Sequence, residues 1–109
     1  PYLELGPRNW GPRQADDDGS PYRALTGPAT IEVKHAAAPI SVTIRYRTDG
    51  AGAANVQPLD GATELAELPS APQGAEVTVQ LQPTAAGTGL TVQPSAAGTV
   101  YVEQVRLEQ

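Results

Sequence analysis

The sequence predicts an all-β protein, an antiparallel β-sandwich of jelly-roll type with an extended N-terminal arm. Three observations carry that prediction. From Thr30 onward apolar residues recur at every second position, the period of a half-buried strand. Glycine- and proline-bearing turn sequences separate these runs at short intervals. No stretch of ten residues carries an apolar stripe at helical spacing.

Taken in order, residues 1–28 form the arm and residues 29–109 the sandwich. The arm repeats Gly6-Pro7-Arg8 as Gly11-Pro12-Arg13. Proline fixes φ and lacks an N–H, so this stretch is extended and poorly suited to a central ladder. Only "YLELG" alternates, long enough for a short edge strand. In "TIEVKH", Ile31 and Val33 oppose Glu32 and Lys34. In "ISVTIRYR", Ile40, Val42, Ile44 and Tyr46 face inward, while Ser41, Thr43, Arg45 and Arg47 face outward, and Asp49-Gly50 ends the strand. Pro58 assigns "NVQPL" to an edge or a bulge. In "TELAEL", preceded by Ala62-Thr63, Leu65 and Leu68 stand three apart, so a helical turn competes with a strand. "EVTVQLQ" alternates through Val77, Val79 and Leu81.

The C-terminal third echoes itself: "PTAAGTGLTVQ" and "PSAAGTVYVEQ" each read as a turn followed by a strand, the rhythm of an antiparallel meander. The last strand changes phase, because Val100 and Val102 are even-numbered and Val105 and Leu107 odd-numbered. A bulge near Glu103-Gln104 turns all four toward the core.

The core is lean. Leu, Ile and Val total 21 of 109 residues, with no Phe or Met and 17 alanines. A net charge of −5 with strong apolar patterning still reads as a folded domain. The acidic balance excludes a general nucleic-acid or anionic-membrane binder, which needs clustered basic charge. No apolar run approaches the ~18 residues of a spanning helix. Without cysteine there is neither a disulfide framework nor a thiolate metal site. Pro1 suits removal of an initiator methionine, and equally a domain cut or the mature end left by processing.

Few groups suggest chemistry. His35 is the only histidine, so any Ser-His-Asp arrangement would have to use it; at a strand end beside three alanines it reads as a structural residue. "DDDGS" (16–20) is the densest acidic cluster. A calcium loop wants alternating carboxylates and a distal glutamate, and here only Asp16 and Asp18 alternate before Gly19. No metal and no cofactor is expected, and the protein is read as a non-enzyme. Lys34, the only lysine, is expected to be solvated. Arg45, Arg47 and Tyr101 offer an outward ligand face for phosphate, carboxylate or a sugar ring. In the arm, Tyr2, Arg8, Trp10, Arg13 and Tyr22 offer a partner-binding set: forked arginine donors around the only tryptophan.

"TVYVEQVRLEQ" resembles the closing strand of jelly-roll carbohydrate-binding modules, and "ISVTIRYRTDG" is similar to one of their central strands with its turn. Together they span about 22 residues. The layout (short, cysteine-free, all-β, with an extended terminal arm) resembles the decoration proteins of tailed-phage capsids. That layout implies a structural protein of the virion whose arm docks on neighbouring subunits, or on copies of itself; it is the leading expectation. The alternative is a glycan-binding accessory module of a secreted or cell-surface enzyme. A small metal-dependent hydrolase has too few ligands.

Overall fold

The strand centred on Ile44 and the closing strand form the longest antiparallel pair of the protein, and the rest is arranged around them. The structure is a computed structural model that describes residues 1–36, 39–61 and 63–108. Its strands are β1 (Tyr2–Leu5), β2 (Gln14–Ala15), β3 (Pro21–Ala24), β4 (Ala29–Lys34) and β5 (Ile40–Thr48). They continue with β6 (Ala54–Pro58), β7 (Ala66–Leu68), β8 (Ala75–Leu81), β9 (Gly89–Pro94) and β10 (Val100–Glu108). One five-stranded sheet runs β1-β4-β9-β6-β7, the other β2-β3-β10-β5-β8, and every pairing is antiparallel. The fold is therefore an all-β sandwich, as the period-two pattern predicts. No helix occurs among the described residues.

Alternation decides which residues make the core. Ile31, Val42, Ile44, Tyr46, Val56, Leu68, Leu90, Val92 and Val100 are fully enclosed between the sheets. Each aliphatic side chain so buried contributes about 1.5–3 kcal/mol relative to exposure, which is how a lean composition sustains the fold. Tyr46 spends its polar end well: its hydroxyl donates to the Pro69 carbonyl at 2.7 Å, and burial pushes its phenol pKa up.

The bulge in β10 lies where the phase change places it. The register passes from Val102↔Tyr46 to Gln104↔Arg45, skipping Glu103. Val105 and Leu107 then sit opposite Ile44 and Val42, on the same face as Val100 and Val102.

Four expectations are corrected. First, residues 1–28 do not stand off as an arm. β1 pairs with β4 and β3 with β10, so both sheets draw strands from this segment. The Gly-Pro-Arg units lace it down: the Gly6 N–H donates to the Thr30 carbonyl at 2.9 Å and the Gly11 N–H to the Ala24 carbonyl at 2.8 Å. A Cβ on Gly11 would lie 2.7 Å from that carbonyl oxygen, so glycine permits the approach. Second, β6 is neither an edge nor bulged; it lies between β9 and β7. Its proline is tolerated because β7 pairs only as far as Val56, leaving Pro58 with a single neighbour. Third, the two echoing segments do not form a meander. β9 and β10 belong to opposite sheets, because the chain crosses the sandwich between them. Fourth, Thr43 points outward yet is buried: its hydroxyl lies 2.8 Å from that of Thr78 and donates to Glu108 at 3.4 Å.

"YLELG" is the edge strand β1, as its alternation predicts. "TELAEL" resolves as strand β7, with Leu68 buried and Leu65 exposed. Ala62, in the sequence before it, and Ala37 and Ala38, beside His35, lie outside the described residues.

Candidate binding site

The outward face of β5 and β10 gathers residues that are far apart in sequence. The pairing Tyr101↔Arg47 sets these two side by side, and β3 brings Tyr22 alongside. The Arg47 guanidinium carbon lies 4.8 Å from the centre of the Tyr22 ring and 5.2 Å from that of Tyr101. The two rings meet edge to face at 5.6 Å. Arg47 also forks onto Asp16, donating from Nη1 to Oδ2 at 2.6 Å and from Nη2 to Oδ1 at 2.9 Å. A carboxylate oxygen of Glu103, the bulge residue, stands 3.8 Å from Nη1.

These contacts fix the charges. The Arg47 fork holds the Asp16 carboxyl below the ordinary aspartate range, and Asp16 in turn raises Arg47. Asp49 accepts the Thr99 N–H at 2.8 Å and the Tyr101 hydroxyl at 2.7 Å. Those two bonds lower Asp49, and the bond to Asp49 raises the Tyr101 phenol. Asp18 is lowered as well, chiefly by the Ser20 N–H, which donates to its Oδ1 at 2.9 Å. The acidic loop thus spends Asp16 on Arg47 and Asp18 on its own turn. Among the described residues no group of three or more His, Cys, Asp or Glu is placed to hold a metal ion.

Beside this cluster lies a concavity of about 280 Å³ lined by Ser20, Pro21, Arg45, Glu103 and Gln104. Arg45 is exposed and makes no ion pair with a described residue. The face therefore offers free guanidinium donors, an amide, a hydroxyl and a carboxylate next to two tyrosines held in place. Such a set can bind a ligand rich in hydroxyl groups. On the other sheet a concavity of about 340 Å³ includes Asn55, Glu67 and Gln93 in its lining, but no aromatic side chain.

The five residues read as a partner-binding set do not form one patch. Tyr2 is exposed and packs on the exposed His35, ring centres 5.6 Å apart, where His35 has a left-handed φ of 60°. Arg8 is exposed. Trp10 is half-buried against the protein's own core, with Nε1 donating to the Thr30 carbonyl at 3.1 Å. Trp10, Arg13 and Tyr22 share the lining of one cavity, and Tyr22 also belongs to the Arg47 cluster. Lys34 is ion-paired with Glu32 at 2.7 Å, which raises its pKa.

The sequence points to Arg45, Arg47 and Tyr101 for this face, but it does not tie Asp16 to Arg47, and it marks Asp49 only as a turn and Glu103 and Gln104 only as a bulge. One signal is present: once the closing strand is paired with β5, a bulge at Glu103 sets Gln104, and not Glu103, opposite Arg45. Nothing local ties Asp16 to this face.

No protein-family description matches the chain. No curated protein matches it in sequence. Solved structures do match in shape. The C-terminal CBM6 of LamC, a marine laminarinase from Zobellia galactanivorans, superposes with a TM-score of 0.56 at 13% identity, covering 99% of this chain and 91% of that one. CBM29_1, a family 29 carbohydrate-binding module from Piromyces equi, gives 0.56 at 10% identity, covering 98% and 80%. The module CBM6cm-2 of Cellvibrio mixtus lichenase 5A, in complex with cellotriose, gives 0.50 at 14% identity, covering 94% and 88%. At such identities the likeness shows the fold alone: a β-sandwich of the kind that carbohydrate-binding modules adopt.

Proposed function

We propose that this protein is a non-catalytic glycan-binding module of a secreted or surface-displayed system, and that the outer face of β5 and β10 is its binding face. The observation that carries the reading is the pocket of Arg45, Gln104, Glu103 and Ser20 set against the Tyr22–Arg47–Tyr101 cluster. It stands on a fold that three carbohydrate-binding modules share. Arg47 is the positioning residue, since its donors are engaged by Asp16. Arg45 and Gln104 supply hydrogen bonds to sugar hydroxyls beside the Tyr22–Arg47–Tyr101 cluster. Pre-arranged side chains lose little entropy on binding.

The capsid-decoration reading loses its main support, because the segment expected to reach a neighbour is laced into the protein's own two sheets. Its tryptophan is packed against the same core.

The test is isothermal titration with soluble β-glucans, cello-oligosaccharides and laminarin first. Arg45→Ala, an exposed change, should leave the melting temperature within a degree or two and weaken binding about tenfold or more. Failure of a broad panel of glycans to bind, or wild-type affinity in Arg45→Ala, would overturn the assignment.

A further inference from the structure

A third cavity, of about 300 Å³, lies at the seam where the edge of one sheet meets the other. That volume is at the small end of ligand pockets, about 300–1,000 Å³. Its apolar wall is Leu3 and Leu5 of β1, Trp10, and Val102 and Val105 of β10. Leu5 is 38% exposed and Leu3 and Val105 are half-buried, so the seam is left partly open. Two cations, Arg13 and Arg23, share the lining. Arg23 is half-buried, and its Nη1 donates to the Gly11 carbonyl at 3.0 Å. No described carboxylate pairs with either arginine. The acid in the lining, Glu103, instead lies within ion-pair distance of Arg47.

An arginine carries five donors, and a guanidinium removed from much of its water without a counter-charge is an open demand for an anion. The aliphatic side chains and the indole together give the cavity a wall that suits a hydrocarbon or aryl body. We infer that this seam cavity binds a small amphipathic carboxylate. Its apolar body lies on Leu3, Leu5, Trp10 and Val105, and its carboxylate is held by Arg23 and Arg13. The site goes beyond the glycan reading. It adjoins the glycan face through Pro21, Glu103 and Gln104 but uses different cations.

Trp10, the only tryptophan, reports directly on the cavity. The probe is decanoate below its micelle concentration, with decanol as the uncharged control and tryptophan emission as the readout. Decanoate should give a saturable change and bind about tenfold or more tightly than decanol. Arg23→Gln and Arg13→Gln should each weaken decanoate about tenfold, and Arg13, being exposed, can be changed without risk to folding. Arg45→Ala should bind decanoate as the wild type does, which separates this site from the glycan face. No saturable change, equal affinity for decanoate and decanol, or wild-type decanoate affinity in both arginine variants would overturn the inference.

Discussion

The β5–β10 pair and the first 28 residues are held by different means. In the pair, a dense ladder runs from Val100↔Thr48 to Glu108↔Ser41, and alternate side chains are sealed in the core. In the N-terminal segment, three short strands are joined by Gly6, Trp10 and Gly11, which reach the sheets singly through one bond or bridge at a time. The first region is stabilised by burial and the second by close approach. A long, regular strand tolerates change on its outer face. A laced segment depends on a few positions where the chain comes near enough to bond.

The β5–β10 pair should be most sensitive at its apolar centre. Ile44 is fully buried in β5, so Ile44→Ala should cost roughly 2–4 kcal/mol in chemical denaturation. Arg45→Ala, one residue along, should stay within about 0.5 kcal/mol. A reversal of that order would mean that the strand phase is inverted.

The lacing should answer to a single methyl group. Gly11→Ala places its Cβ 2.7 Å from the backbone oxygen of Ala24, so the chain must lift away from β3 and weaken the Gly11 bond. A cost of about 1–3 kcal/mol is expected, with faster hydrogen exchange across residues 9–25. If Gly11→Ala left both unchanged, the segment would not be held in the way described here.

The smallest effect expected is electrostatic. Asp16 and Asp49 have lowered pKa values in the folded protein. Their contribution is therefore present above the ordinary aspartate value, about pH 4, and is lost as the pH falls through the lowered folded values. Asp16→Asn should melt slightly below the wild type at neutral pH, and the two curves should converge in acid. A gap persisting to the lowest pH would show that the Arg47 fork is not its source.

The legible parts of the molecule are those in which one physical cause acts along the chain. Ile40 to Tyr46 alternate because a pleated strand shows one face to the core. Val102 and Val105 break phase because one extra residue must be accommodated. Both facts are local, and both were readable. The candidate face was readable only in part. Arg45, Arg47 and Tyr101 announce their direction by strand phase, whereas their partners come from turns and loops that carry no period.

The architecture is written along the chain: the all-β class, the inward set of β5 and β8, and the bulge of β10. It is written there because side-chain direction in a strand follows from position alone. Pairing, by contrast, emerges only when the chain is folded. Asp16 meets Arg47 across 31 residues and Asp49 meets Tyr101 across 52. Pro58 sits harmlessly in an inner strand because its neighbour is short, and two glycines bind the N-terminal segment to the sheets beyond its one expected edge strand. Each is a contact between distant segments, fixed by strand order and not by the residues beside it. Strand order in turn is set by how the whole apolar surface is best buried, a quantity that no local stretch contains.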